Sequence, residues 1–481
     1  MKAKLTDGRK WLTGTLSVLA VSYVAAAAWN SFIKPIPKGL AYQGRLHRAE
    51  TIDMLTDLTY VEDREGKRTK REAQIFQEIY QVIDRAEQFI VLDFFMLGRY
   101  GAEGKEYPAI AENLVSRLLA KKEASPDMPI YFITDPLNSG YGSYELPEFS
   151  KLKEAGVEVI YTDLDKLRDS IPLYSGLYRL LVQWPDNGGE GWISNPIAGD
   201  APDMTLSSFL TLLNIKANHR KAIITESEAI ISSANPHDPD GYNDNMAFRV
   251  TGPVLKDLLE AEEAVSLMSG GPVLPRTEPG EERGEYKVQY LTEHEVLKAL
   301  LQDITATEEG DAIWLAMLYL AEREVINALK SAAKRGVDVR LILDPNKTAF
   351  GRNQRGLPNR PVAKELRETG LENLQLRWYN VIDEEFHTKT TLVRMAGKTV
   401  ISGGSSNFSS RSLDNHNIES NLRIEAPNDS DLVQSLEAYF KRLWNNEDGI
   451  FTLDDTAYQS RLTPLERGVY AVQKLLKITT Y

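Results

Sequence analysis

NHRKAIITESEAIISSAN, residues 218–235, and FHTKTTLVRMAGKTVISGGSSN, residues 386–407, have the same shape. Each opens on His-x-Lys, at His219–Lys221 and His387–Lys389, in a chain with only six histidines. Each continues as a short alternating strand (KAII, KTTLV) that turns at 227–228 or 396–398. Each returns as a second strand that ends in small residues and an asparagine, SSAN (232–235) or GGSSN (403–407). Alternation along a strand sends a His and a Lys two apart to the same side. The Ser/Gly/Asn turn brings hydroxyls, an amide and backbone N–H groups to a bound anion, and the set suits phosphate. One His-x-Lys arises easily by chance. Two at equivalent points of a repeat are a signal.

The repeat is legible around them. In the first half an amphipathic helix near 70–87 leads into FIVLDFFML (89–97), then a helix near 108–123, PIYFITDP (129–136), a helix near 146–155 and VEVIYTDL (157–164). In the second half HEVLKALLQDI (294–304) leads into DAIWLAMLYL (311–320), a helix near 322–335, VDVRLILDP (337–345), a helix near 361–369 and LQLRWYN (374–380). The pattern is βαβαβ twice. It predicts an α/β protein of two tandem, pseudo-twofold-related repeats, each a mostly parallel sheet flanked by helices. The Asp-Pro pairs at 135 and 344 stand 209 residues apart, and the histidines 168 apart. The first half therefore carries 41 extra residues, placed within 165–215. This insertion holds Tyr174, Tyr178, Trp184 and Trp192 and an apolar stripe at 205–215. It reads as a lid or a wall for acyl chains, or as a satellite packed on itself.

Bulk properties narrow the classes. A chain of 481 residues exceeds what one core covers. A net charge of −13 disfavours a protein that coats nucleic acid. Zero cysteines exclude disulfides, thiolate metal sites and cysteine nucleophiles. MKAKLTDGRK is basic, and residues 11–29 run uncharged between Trp11 and Trp29. That segment predicts a single-pass transmembrane anchor with a cytoplasmic start and an extracytoplasmic body. The alternative is a signal peptide cleaved near Ala25–Ala28, which would release a secreted form. The expected divisions are 1–35 (start and anchor), 36–275 (first repeat with its insertion), 276–447 (second repeat) and 448–481 (a C-terminal amphipathic segment).

HRKAII…SSAN and HTKTTL…GSSN resemble the paired His-x-Lys motifs of the phospholipase D superfamily in its two-repeat bacterial, cardiolipin-synthase-like form, over roughly residues 70–445. The family's motif continues through four residues to an Asp and then a Gly-Ser-x-Asn turn. Here Glu226 and Arg394 stand at the Asp position, and the first turn lacks its glycine. The resemblance implies one site shared by both halves of a monomer, acting on phospholipid at a membrane with no metal or other cofactor. One histidine attacks the phosphodiester to give a phosphohistidine, and the other protonates the leaving alcohol. Lys221, Lys389, Asn235 and Asn407 neutralise the phosphoryl oxygens, and Ser233 and Ser405 contact substrate. Family sites orient each histidine from the opposite half. RIEAP (423–427) and RVTGP (249–253) align on their arginine, and four residues back stand Glu419 and Asn245. Glu419 would then back His219, while His387 would receive Asn245, or Asp244 if the register slips by one. A carboxylate-backed imidazole is the better nucleophile, which makes His219 the nucleophile and His387 the acid. The competing reading of Glu419 is a carboxylate that satisfies a buried turn.

His47, His294, His237 and His416 read as ordinary linker, helix and loop residues. Helical spacing of Leu465, Val469, Val472, Leu475 and Leu476 predicts a docked C-terminal amphipathic helix. The functional alternatives are a nuclease of the same superfamily and a non-catalytic phospholipid-binding relative. Hydrolysis and transfer differ only in whether water or an alcohol reaches the phosphohistidine.

Overall fold

The computed structural model describes residues 2–458 except 64–68, 102–103, 185–188, 198, 279, 350–351 and 354, together with Gly468 and Val472. The chain starts with helix α1 (Lys2–Ala28), continued by a wider helical turn, Trp29–Ile33. Within Lys10–Ile33 an 18-residue stretch reaches a mean hydropathy of 1.6, and this is, among the described residues, the one helix long and apolar enough to cross a membrane. The C-terminal helix expected over 463–481 lies outside the described residues apart from Val472 and Gly468.

The first half runs β1 (His47–Ala49), β2 (Ile52–Val61), β3 (Thr69–Ala73), α2 (Ile75–Arg85), β4 (Ile90–Phe94), α3 (Ile110–Ala124), β5 (Ile130–Thr134), α4 (Pro147–Glu154) and β6 (Glu158–Tyr161). The insertion supplies α5 (Pro172–Leu177) and α6 (Leu206–Leu212). The histidine hairpin β7 (Lys221–Thr225) and β8 (Glu228–Ser232) follows, then β9 (Asn245–Thr251) and α7 (Val254–Met268). The second half runs β10 (Tyr286–Thr292), α8 (His294–Thr305), β11 (Ala312–Met317), α9 (Arg323–Lys334), β12 (Asp338–Leu343), the small hairpin β13–β14 (Thr348–Ala349, Arg352–Asn353), α10 (Asn359–Arg367) and β15 (Leu374–Tyr379). Then come β16 (Lys389–Arg394), β17 (Thr399–Gly404), α11 (Ser410–Leu413), β18 (Ser420–Ala426), α12 (Asp431–Asn445) and β19 (Thr452–Asp454).

The strand order is β3-β2-β9-β8-β7-β4-β5-β6 in one sheet and β1-β10-β18-β17-β16-β11-β12-β15-β19 in the other. From β2 to β6 and from β10 to β15 the two orders correspond strand for strand. Neither sheet is mostly parallel, contrary to the expectation from βαβαβ. Among the described strands only β4-β5-β6 and β11-β12-β15 pair parallel; the other neighbours in the two sheets are antiparallel. The histidine hairpins and the strands after them join the same sheets, and short turns make neighbours antiparallel.

Two boundaries also shift. β1, from the start of the first half, pairs with β10 of the second sheet, His47 opposite Val288. β19, within the segment expected to be a separate C-terminal piece, pairs with β15.

Helix spacing dictates the outer layers. In α2 the buried residues Ile75, Phe76, Ile79, Val82 and Ile83, and in α9 Val325, Ile326, Leu329, Ala332 and Ala333, recur at the same intervals along one stripe. These stripes cover the outer sheet faces, each over a core of its own. A third core joins the halves, drawing Ile224 and Phe248 together with Phe386, Leu392 and Ile401. There β17 lies so near β9 that a Cβ on Gly403 would stand 2.5 Å from the Phe248 ring. Gly403 of GGSSN therefore answers to packing between halves, whereas Gly404 answers to β18 beside it, where a Cβ would stand 2.2 Å from Ser420 O. The sheet ends that meet at this inner core carry the histidines.

Candidate active site

The backbone before each histidine is held from two directions. Asn218 N–H donates to Asp135 Oδ2 at 2.7 Å, and Phe386 N–H donates to Asp344 Oδ2 at 2.7 Å. The Asp-Pro pairs that marked the repeat thus anchor the residue preceding each histidine. Burial pushes both carboxyls up to about 7, against the backbone N–H groups they accept. The opposite half grips the same segments. His219 N–H donates to Ile418 O at 2.8 Å, and Asp244 N–H donates to Glu385 O at 3.0 Å. Arg220, wholly buried between the two motif residues, donates to Glu293 Oε1 and Ala261 O and faces Glu262 at 3.3 Å.

The imidazoles are braced across the halves. His219 Nδ1 lies 3.0 Å from Glu419 Oε2, and His387 Nδ1 lies 3.0 Å from Asn245 Oδ1. Asp244, the neighbour that a slipped register would have chosen, instead accepts from Thr59 N–H and Tyr379 O–H. Asn245 Nδ2 donates to Asn243 O at 3.1 Å, so its Oδ1 is the atom turned to His387 and must accept. Each ring therefore carries its proton on Nδ1 and keeps Nε2 for chemistry.

Ser233 and Ser405, expected to contact substrate, are fully buried and turned to the braces. Ser233 Oγ donates to Asn245 Oδ1 at 2.8 Å, and Ser405 Oγ to Glu419 Oε2 at 2.5 Å. The turn after each hairpin folds back on its own sheet and so aims its hydroxyl at the neighbouring strand. Glu226 and Arg394 also stand apart from the site. Glu226 caps Glu87 N–H and Gln88 N–H, and Arg394 pairs with Glu437.

Lys221 and Lys389 are buried, and each Nζ donates to the carbonyl of its own histidine at 2.6 Å. Lys221 also lies 5.2 Å from the centre of the Phe95 ring, which packs on His219. Burial pulls Lys221 down to about 7, and burial with the Lys221 charge holds Lys389 well below its usual value. Burial and the two lysines hold both histidines well below their usual 6.5. Glu419 is pushed up to about 7 by burial, with Lys221 opposing. The site thus gathers buried lysines and imidazoles whose protonated forms an anion would stabilise. The Oδ1 atoms of Asn235 and Asn407 are buried without a hydrogen-bond partner among the described residues.

One charged group here escaped the reading of the sequence. Asp240 Oδ2 accepts from Asn235 Nδ2 at 2.8 Å, and Oδ1 lies 3.3 Å from His237 Nδ1. Burial works against its ionisation, but His237 first and His387 next hold it at about 2. The same carboxylate acts in return to raise His387. His237, read as a solvated loop residue, is buried, with Nε2 2.8 Å from Tyr100 O. NPHDPD (235–240) contains that signal, but the sequence does not reveal that the loop folds inward. His47 is likewise buried, held between Glu282 and Asp257. Among the described residues no group of three or more His, Asp or Glu gathers as a metal site.

A family model described as the cardiolipin synthase PLD-like domain matches residues 300–444. Comparison with curated proteins returned no match. Among solved structures, the chain is similar to phosphatidylserine synthase of Haemophilus influenzae Rd KW20, with 10% identity over 95% of this chain and 98% of that one and a TM-score of 0.54. It is also similar to Nuc, a phospholipase D family member from Salmonella typhimurium, with 21% identity over 37% of this chain and 100% of that one and a TM-score of 0.29. Residues 300–444 thus match the cardiolipin synthase PLD-like domain in sequence, and the chain as a whole shares the fold of the phosphatidylserine synthase structure.

Proposed function

We propose that the protein is a membrane-anchored phosphodiesterase that acts on phospholipids through a phosphohistidine, by hydrolysis or by phosphatidyl transfer. The observation that carries this reading is the unequal bracing of two otherwise equivalent imidazoles, one by Glu419 and one by Asn245. A phosphodiester anion entering between Lys221 and Lys389 supplies the counter-charge that favours their protonated forms, which burial disfavours. His219, neutral and proton-bearing on Nδ1, attacks phosphorus through Nε2. The P–N bond forms, the bond from phosphorus to the leaving oxygen breaks, and that oxygen takes the proton from His387 Nε2. Positive charge then grows on His219, and the Glu419 carboxylate stabilises it in place. With the anion bound, Asp240 favours the protonated form of His387 that this step requires. In the second step His387 Nε2 takes the proton of water or an alcohol, whose oxygen attacks phosphorus as the P–N bond breaks. The amide oxygen of Asn245 can orient His387 without holding its proton.

The N-terminal helix sets the body beside its lipid substrate. The net charge of −13 speaks against an oligonucleotide in its place. The test is full-length protein in mixed micelles of phospholipids and a primary alcohol. Phosphatidylalcohol and phosphatidic acid are expected from the wild type and from neither His219→Ala nor His387→Ala. Lipid binding without product from the wild type would leave the reading without support.

A further inference from the structure

The insertion between β6 and β7 is built inside out. From α5 through the helical turn Tyr178–Val182, the residues turned to solvent are Leu173, Leu177, Leu180, Leu181 and Trp184, an unbroken stripe at helical spacing. Leu173 is 68% exposed, Leu181 65% and Trp184 74%. The opposite face is the polar one. Ser175 and Arg179 are buried and bound to Asp169, whose carboxylate also accepts from Asn214 Nδ2 and Lys216 Nζ. The expected aromatic wall is thereby divided. Tyr174 and Tyr178 bond within the insertion, to Leu210 O and to Asp165, while Trp184 and Trp192 face outward.

An exposed stripe of this size on a soluble chain marks a surface that something covers. Its surroundings say what. The stripe lies against the exit of α1: Tyr23 bonds to Leu173 O, and a Cβ on Gly176 would strike the Tyr23 ring at 2.6 Å. Asp169 N–H donates to Asn30 O at 3.0 Å, and Arg168 Nε donates to Lys34 O at 2.8 Å. Trp29, Phe32 and Ile33 at the end of the span are also exposed. The apolar face of the insertion thus continues the apolar face of the anchor, locked to it by hydrogen bonds.

We infer that α5 and the turn after it lie in the interfacial layer of the bilayer that α1 crosses, so that the insertion is a membrane-seated platform for the active site. An amphipathic helix with a Trp and Leu face beside a spanning helix is the physical form of such a contact. The same Asp169 that joins the anchor to α5 holds Asn214 and Lys216, five and three residues before His219. The catalytic strand therefore starts from a point fixed relative to the lipid surface. This inference rests on the reading of α1 as a membrane span and adds a second contact beside it.

The absence of cysteine makes the test direct. Full-length protein in phosphatidylethanolamine–phosphatidylglycerol vesicles would carry one spin label at Leu173→Cys, Leu181→Cys or Trp184→Cys. Val18→Cys would report the span, and exposed Lys334→Cys on α9 the aqueous body. The platform predicts that the three insertion labels collide with oxygen in preference to a water-soluble nickel chelate, as Val18→Cys does and Lys334→Cys does not. Insertion labels as open to the chelate as Lys334→Cys, with Val18→Cys still in lipid, would overturn the platform and leave the anchor standing. Chelate access at Val18→Cys would remove the anchor, and the platform with it. Shielding of the insertion labels from both reagents, with label–label coupling, would assign the stripe to a second copy of the chain and equally overturn the proposal.

Discussion

The hairpin of the first half and the hairpin of the second present the same atoms in the same order, yet their surroundings differ in one decisive respect. Both put His-x-Lys on the first strand, bond the lysine to the histidine carbonyl at 2.6 Å, and hang the preceding N–H on an Asp-Pro carboxylate at 2.7 Å. What differs is what the opposite half returns. His219 receives a carboxylate and His387 an amide, while the charge of Asp240 acts to raise His387. A duplicated scaffold has thus been made chemically asymmetric by few residues. The lesson is that the role of a repeated motif is written in its partner's half and not in the motif.

The sharpest way to break this comparison is to delete each imidazole. His219→Ala is expected to lose ~10⁵–10⁶ of turnover on every substrate, the scale of removing a nucleophile. His387→Ala is expected to lose ~10²–10⁴ with a phospholipid and far less with a p-nitrophenyl phosphodiester, whose leaving group needs no proton. Equal losses on both substrates would make the halves equivalent. Next come the braces. Glu419→Gln should slow turnover by ~10²-fold or more, because the developing imidazolium loses its counter-charge. Asn245→Asp should leave His219 working while raising the His387 pKa, read as a shifted histidine C2–H titration.

Packing between the halves supplies a smaller, structural test. Gly403→Ala drives a Cβ toward Phe248 and should cost ~1–3 kcal/mol in thermal unfolding, the usual penalty of overpacking. Phe248→Leu in the same chain should restore part of it. The smallest effect is a pH slope. Asp135 and Asp344 rise from 3.8 to about 7 on folding, so the native chain holds protons that the unfolded chain has released. Their contribution is fully present below about pH 4 and is lost as pH rises to about 7. Between those limits Tm of the wild type should fall more steeply than that of Asp135→Asn with Asp344→Asn.

Much of this was legible in the sequence because periodicity and repetition survive without contacts. The apolar runs of β4, β5, β11 and β12, the two hairpins and the offset of the Asp-Pro pairs needed only counting. Glu419 and Asn245 came from aligning two arginines. What stayed hidden depends on where backbone turns in three dimensions. Nothing in TDP or LDP says that the carboxylate will meet the backbone before a histidine more than 40 residues on. The inward fold of NPHDPD, which buries His237 and sets Asp240 beside His387, has no periodic signature. Ser233 and Ser405 sat in the expected turns, yet their hydroxyls were spent on the braces. β1 and β19 are three-residue edges whose pairing across the expected boundaries is decided by the sheet they find. The insertion was read for its aromatic content, whereas its outward leucines at 173, 177, 180 and 181 carry the stronger message.

The most direct test of the central claim is to trap the covalent intermediate. Full-length protein would be mixed with a phospholipid, quenched within a turnover, digested and mapped by mass spectrometry. The asymmetry of the braces predicts a phosphatidyl adduct on the peptide containing His219, absent in His219→Ala and accumulating in His387→Ala with an activated phosphodiester. An adduct on His387 with His219 unmodified would contradict the assignment of roles.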